Sequence, residues 1–572
     1  MRRRLYVSTG VLLLLTLLGL AWGLRERWEQ SSPERFTSGN ILYNADFSRP
    51  DARTGRLPDG WSAGGPGVAL GAFTFRPDSR SVEIFGSNNY LKSPLVTTRP
   101  GQRFRLGFRV LCESQTPSRV RVWFHWLDEE GDEIIVEKRP WREAPARTWG
   151  TVLEEVEAPD GAAYLTISLH PAADDRLFID TLSLNVSGVR VLPWPEGRAA
   201  AISLSVDWET AMGGLIHSRS GDPGSAADAV ARGLRMREGT HQLLALLRPY
   251  NLRATWFANG YNFLEGNPEG RTFLGDPVFT WADDAHRWPD DRWASAPWFA
   301  ADPHGTYVSH PAWYFGDLVP QLLAEKQAIE SHTFSHFYGG FVEPELWRAD
   351  LAAWNEVAAE RGVGPASALA FPWSGSDGMT EAKWHELEQA GITVLTRTSE
   401  RSIFRISRDD LLIPRPHPGF RTMLVFPDAY LTPATLTETL LLVDRAVANG
   451  GALDIWAHTE EITSPEQIAA WRMVIERCVA SGDLWIAPLT ELAGWWRAIR
   501  QVEAVVIADG PPLRLRIENR SDRSLSGVAL QLPVEALRAE VDGQPFGRIV
   551  GDTLILNIGG RQTLEVDIWP AS

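Results

Sequence analysis

His332 and His336, in Glu330-Ser-His-Thr-Phe-Ser-His336, stand four residues apart. On one helical turn that spacing projects both imidazoles from the same face, where together they can grip a single divalent ion. A metal site is therefore the first chemistry this chain suggests. Histidine pairs at this spacing also arise by chance, so the reading needs a carboxylate, a proton donor and a fold that assembles them.

The elements that must do so are legible between about residues 195 and 500. Ala200-Ala-Ile-Ser-Leu-Ser-Val206, Leu252-Arg-Ala-Thr-Trp-Phe257, Ser367-Ala-Leu-Ala-Phe371, Ile392-Thr-Val-Leu395, Leu453-Asp-Ile-Trp-Ala457 and Leu484-Trp-Ile-Ala487 are short apolar runs of buried-strand type. Helical stretches alternate with them: Thr380 to Gly391, Pro433 to Gly450, and a segment opened by the capping box Ser464-Pro-Glu-Gln467 and closed at Gly482. Six or more such βα units predict a parallel barrel, whose chemistry sits at the C-terminal ends of its strands. Asp207-Trp208-Glu209, the His332 and His336 pair, Phe371-Pro372-Trp373 and His458 all fall at that edge. In an extended strand residues i and i+2 point to one side, so Asp207 and Glu209 share a pocket with Trp208 turned away.

This stretch of about 300 residues resembles the polysaccharide deacetylases of carbohydrate esterase family 4, whose catalytic domain is a distorted (β/α) barrel. His332-Thr333-Phe334-Ser335-His336 after Glu330-Ser331 matches the family's metal motif, Ala254-Thr255-Trp256-Phe257 looks like its Ala-Thr-Phe-Phe strand, and Leu484 to Trp496 looks like its last strand and helix. Two departures stand out. The usual Thr-Phe-Asp-Asp is replaced by Asp207-Trp208-Glu209, and Ala370 stands where the family has an arginine that orients the base.

The resemblance implies Asp207 as general base, Glu209, His332 and His336 as ligands of a divalent metal such as zinc, and His458 as general acid; the reverse assignment of Asp207 and Glu209 stays open. Two imidazoles and one carboxylate leave an open position on such an ion, the mark of a catalytic site. Pro372 and Trp373 would border the substrate, with a backbone N–H near Trp373 facing the oxyanion. The implied activity is removal of acetyl groups from an N- or O-acetylated polysaccharide, in association with exopolysaccharide or cell-wall machinery. The alternative is a glycan-binding or assembly factor that kept the barrel and lost turnover, as Ala370 and the altered Asp207 motif would allow.

Around the barrel the chain predicts further units, giving a multidomain protein. Residues 38–190 read as an all-β sandwich, with alternation in Arg103 to Val110, Arg119 to Trp126 and Tyr164 to Leu169. Asn44, Phe47, Pro58, Gly60, Trp61, Pro100-Gly101, Trp149 and Phe178 to Leu184 resemble jelly-roll carbohydrate-binding modules, which implies either glycan binding through exposed aromatics or a spacer with its tryptophans in the core. Residues 503–572 read as a small accessory β-sandwich. The long insertion from Tyr261 to Tyr314 carries Trp281, Trp288, Trp293, Trp298, Tyr307 and Trp313 and is either a substrate wall or packing; Asp283, Asp284, Asp290 and Asp291 within it read as a solvated face.

At the N-terminus, within residues 1–30, Arg2-Arg3-Arg4 precedes an apolar run from Leu5 to Leu24, long enough to span a bilayer with the bulk of the chain outside the cytoplasm. A cleaved signal peptide, ending near Ala21-Trp22-Gly23, is the competing reading. The net charge of -16 argues against a nucleic-acid partner. Only Cys112 and Cys478 are present, so an exported chain of this kind does not rest on a disulfide framework.

Overall fold

A computed structural model describes residues 40–571 except 53, 76–78, 219–228, 287–296, 400–402, 405–410 and 481. The apolar segment from Leu5 to Leu24 lies outside the described residues, as do Trp288, Trp293, Asp290 and Asp291. Among the described residues no helix is long and apolar enough to cross a membrane. The chain divides into two compact units, Met1–Gly188 and Val189–Ser572.

In the first unit a seven-stranded and a five-stranded sheet, antiparallel throughout, share one core. The alternation in Ser118–Leu127 sends Val120, Val122, Phe124 and Trp126 inward against Phe104, Leu106 and Phe108 of Arg103–Cys112. Trp61 and Trp126 are core residues. Trp123 is half-buried, stacked on His170 at 4.0 Å between ring centroids.

The second unit is built on parallel strands: β1 (Ala200–Trp208), β2 (Thr255–Ala258), β3 (Ala328–Ser331), β4 (Ala368–Ala370), β5 (Val394–Thr396), β6 (Leu424–Val425), β7 (Asp428–Tyr430), β8 (Ala452–His458) and β9 (Leu484–Ile486). Their order is β6-β5-β4-β3-β2-β1-β8-β7, with β9 beside the start of β1. All nine residues of β1 are buried, as expected of a strand covered on both faces, and its side chains share one core with the surrounding helices.

Closure of the barrel comes from one kinked run of chain. β6 bonds to β5 and β7 bonds to β8, and only Phe426 and Pro427 separate β6 from β7. The Phe426 N–H donates to Leu395 O on one side and the Pro427 carbonyl accepts from Asp454 N–H on the other, both at 2.9 Å. Proline has no N–H to continue the first ladder, which suits the point where pairing changes partner.

Helices α1 (Ala229–Leu247), α2 (Val319–Ala324), α3 (Pro344–Ala359), α4 (Glu381–Gln389), α5 (Leu436–Asn449), α6 (Pro465–Ala480) and α7 (Leu489–Ile499) accompany the strands. α5 stops at Gly450, whose φ of +66° is left-handed and costs a glycine little. At the start of α6 only half of the expected capping box forms: Ser464 Oγ accepts the Gln467 N–H at 3.1 Å, while the Gln467 amide reaches Leu431 O instead.

Beyond α7 the chain returns to antiparallel strands in a four-stranded and a five-stranded sheet. Arg190–Val191, which precedes the barrel, pairs with Leu525–Gln531 of the first of these. Trp194 then stacks on Trp496 of α7 at 5.2 Å.

Candidate metal centre

The two histidines do not sit on a helical turn. After β3 the chain makes a tight loop in which Thr333 and His336 take left-handed φ values of +61° and +57°, and the reason lies in α3. The buried carboxylate of Asp350 accepts the N–H groups of Phe334 and Ser335 at 2.5 and 3.0 Å and the Ser335 hydroxyl at 2.6 Å. Those donors are thereby withdrawn from any i→i−4 ladder. Thr333 Oγ1 accepts the His336 N–H at 2.9 Å, and the Asn259 amide, just beyond β2, donates to the carbonyls of His332 and Thr333 at 2.8 and 3.0 Å. Burial pushes the Asp350 carboxyl up to about 7.

Asp350→Ala would orphan these buried donors, so it is expected to cost about 3 kcal/mol of stability in urea unfolding and to release the histidine loop. An unchanged unfolding midpoint would show that the loop holds without its staple.

The insertion buttresses the same loop from behind. Phe334 lies among Tyr261, Phe273, Trp298 and Phe299, with centroids 5.2 to 6.5 Å away. Asp302 beneath them accepts the Tyr261 hydroxyl and the Asn267 amide, each at 2.6 Å, as well as the Tyr314 hydroxyl. Tyr261, Trp298 and Tyr314 are thus packing residues, and Trp281, Tyr307 and Trp313 remain half-buried.

At the end of β1, Asp207 and Glu209 reach into the site, and Trp208 turns away to donate its indole N–H to Thr240 Oγ1 of α1 at 3.0 Å. His336 Nε2 stands 3.5 Å and His332 Nε2 4.0 Å from Glu209 Oε1. One donor atom from each of Glu209, His332 and His336 lies within 4.8 Å of the others. Nitrogen and oxygen ligands about 2.1 Å from a tetrahedral ion stand about 3.4 Å apart, so the three fit a divalent metal after a small contraction.

The protons also suit a metal. His332 Nδ1 lies 2.9 Å from Ala370 O, and a carbonyl only accepts, so Nδ1 carries the hydrogen and Nε2 presents its lone pair to the carboxylates. Burial pushes His332 below its ordinary value, toward the neutral form. For Glu209, burial alone would raise the pKa; the Arg232 guanidinium and the three site histidines outweigh it and hold the group well below the carboxylate range. Arg232, from α1, reaches Glu209 Oε2 at 2.9 Å and Glu460 at 2.8 Å.

Asp207 has its own cation. Arg397, directly after β5, places Nε 2.9 Å from Asp207 Oδ1 and Nη1 3.3 Å from Asp454, donates to Ser205 Oγ at 3.0 Å, and lies between the Phe257 and Trp456 rings. The arginine that Ala370 lacks therefore comes from the neighbouring strand, because β4 and β5 pair with Ala370 opposite Thr396. Ala370 serves through its carbonyl.

His458, ending β8, puts Nε2 3.8 Å from Asp207 Oδ2 and 3.9 Å from Glu209 Oε1. Burial alone would lower its pKa, but Glu461, 3.5 Å from Nδ1, together with Asp207 and Glu209 raises it to about 9, so the ring is charged near neutral pH. Glu461 also accepts the Tyr430 hydroxyl.

Pro372 is buried. Trp373, with φ of +67°, holds its ring 5.3 Å from that of His336 at the rim. A non-glycine residue in this region stores strain of a kind that collects at functional sites. Arg415 and His417, in Pro414-Arg-Pro-His-Pro418, pack separately, His417 against Trp384 at 4.5 Å and Arg415 over Phe404 at 3.8 Å.

Of the residues singled out from sequence, Asp207, Glu209, His332, His336 and His458 converge here with Trp373 beside them. Arg232 and Arg397 are additions. Arg397 obeys the same rule that selected Asp207, Glu209 and His458, a polar residue at the end of a short apolar strand, whereas Arg232 in mid-helix carries no comparable signal.

No family model matches the sequence and no curated protein matches it. Among solved structures, a Mycobacterium smegmatis protein described as a polysaccharide deacetylase is similar at 18% identity over 54% of this chain and 93% of its own, with a TM-score of 0.36. Puue allantoinase is similar at 15% identity over 54% and 94% of the two chains, also with a TM-score of 0.36. The CBM22-1 xylan-binding domain of Xyn10C from Paenibacillus barcinonensis is similar at 14% identity, covering 24% of this chain and 90% of its own, with a TM-score of 0.20.

Proposed function

We propose that the second unit is a metal-dependent hydrolase that removes acetyl groups from an N- or O-acetylated polysaccharide outside the cytoplasm. One observation carries this reading: Glu209, His332 and His336 converge on a common point, with Asp207 held beside it by Arg397 and a charged His458 facing both carboxylates. A divalent ion held by Glu209, His332 and His336, zinc in this proposal, would supply Lewis-acid polarisation of the acetyl carbonyl and a lowered pKa for the attacking water.

The chain's own residues move the protons. Asp207 Oδ1 faces Arg397, which leaves Oδ2 to take a proton from water as the water oxygen bonds to the acetyl carbon. His458 gives its proton to the departing sugar nitrogen or oxygen as that bond to carbon breaks, yielding acetate and a free amine or hydroxyl. A backbone N–H near Trp373 faces the oxyanion that develops between these events. Glu461 keeps His458 charged until it is used.

The inactive-binder alternative draws on Ala370 and on the altered Asp207 motif; Arg397 beside Asp207 answers the first of these. The apolar N-terminal segment would hold the protein at a membrane, and the first unit would gather glycan for the barrel.

Treatment of the full chain with a chelator is expected to abolish acetate release from acetylated glycans, and added zinc or another divalent ion to restore it. Undiminished release by metal-free protein would overturn the mechanism.

A further inference from the structure

Phe341, five residues beyond His336, is 41% exposed, yet its turn is held by buried side chains. Trp347 donates its indole N–H to Gly339 O at 3.1 Å, and Lys383, itself buried, donates to Gly340 O at 2.7 Å and Gly378 O at 3.2 Å. A Cβ on Gly340 would come within 1.7 Å of the Asp377 carbonyl oxygen, so this backbone seats directly on the loop after Trp373. A buried lysine spent on fixing a turn that presents a phenyl ring to solvent is not explained by folding.

Phe341 also has ring company. Tyr338 stacks on it at 4.2 Å and 18°, Trp281 lies at 5.8 Å and His286 at 5.0 Å. Tyr338 in turn lies flat on the turn after Trp373, for a Cβ on Gly375 would stand 2.6 Å from its ring. Trp373 packs on His336. From His336 outward the order is thus Trp373, the turn at Gly375, Tyr338 and Phe341.

We propose that Phe341, Tyr338, Trp281 and His286 form a stacking subsite for a pyranose ring next to the one that is deacetylated. The apolar face of a pyranose packs on such rings while its hydroxyls stay in water. This rests on the hydrolase reading and deepens it: the substrate is a chain of sugars, held through an unreacting neighbour.

The test uses the full-length protein, a panel of acetylated oligosaccharides of one to six sugars, and 4-nitrophenyl acetate. For Phe341→Ala, KM on the longest oligosaccharide turned over is expected to rise about ten-fold with kcat nearly constant. Turnover of 4-nitrophenyl acetate should be unchanged, and Phe341→Trp should restore KM. Equal losses on the small ester and the oligosaccharide would mark a structural role and overturn the subsite, as would an unaltered KM.

If the wild type turns over nothing, retardation of wild type and Phe341→Ala in gels containing acetylated polysaccharide decides. Weaker retardation of the variant keeps the subsite and sinks the hydrolase, and equal retardation sinks both.

Discussion

Replacing Asp207 with asparagine is expected to lower acetate release at saturating substrate about a thousand-fold while leaving the bound metal in place. Asparagine keeps the size of the side chain and an oxygen for Arg397, whose charge Asp454 continues to balance at 3.3 Å. It loses only the ability to accept a proton from water.

Glu209→Gln should behave in the opposite order. Its Oε1 is the atom nearest His336, at 3.5 Å, so removing its charge weakens the ligand set and the metal is lost first. Metal content and kcat measured together on the two variants therefore separate the roles. Should Asp207→Asn arrive metal-free and Glu209→Gln arrive loaded but inactive, the two carboxylates exchange roles.

The arginines explain how two buried carboxylates coexist here. Asp207 and Glu209 project from one strand into a site walled by protein, where like charges repel strongly and each ion lacks water. Arg397, directly after β5, serves the first and Arg232, from α1, the second. Arg397 leaves Asp207 Oδ2 facing the histidines, whereas Arg232 also reaches Glu209 Oε1, the oxygen nearest His336, at 3.4 Å. Each arginine is also shared with a second carboxylate, Arg232 with Glu460 and Arg397 with Asp454.

What the sequence could reveal of this follows from which contacts are local. His332 and His336 were legible from their spacing, and Asp207, Glu209 and His458 because each stands at the end of a short apolar run, where a parallel barrel gathers its chemistry at one edge. Arg397 meets the strand-end criterion too, but the resemblance places the arginine at position 370, one strand away. Arg232 could not be found this way, since its pairing with Glu209 depends on how α1 docks on β1.

The histidine spacing suggested a helical turn, but Asp350, supplied by α3, captures the loop's N–H groups, and no local pattern encodes that. Barrel closure was equally hidden. It depends on Phe426 and Pro427 carrying the chain from β5 to β8, a change of partner that two short apolar runs do not announce.

Arg397→Met is expected to destabilise the protein by about 3 to 5 kcal/mol at neutral pH and to abolish turnover, because it leaves buried Asp207 and Asp454 without the cation they share. Methionine fills most of the space between Phe257 and Trp456, so the loss reports charge more than volume. The pH dependence distinguishes the two. Burial already holds the Asp454 carboxyl above its ordinary value, with Arg397 opposing that rise.

Without the arginine the folded-state pKa rises further. A carboxyl raised in the folded state contributes stability that is intact below its unfolded value and is lost as pH climbs through the folded one. The gap in stability between wild type and Arg397→Met should therefore narrow on acidification toward the ordinary carboxylate range and widen toward neutrality, as followed by urea unfolding at a series of pH values. A gap that stays constant with pH would mean that Arg397 acts through packing against the two rings, and that Asp207 is positioned by some other group.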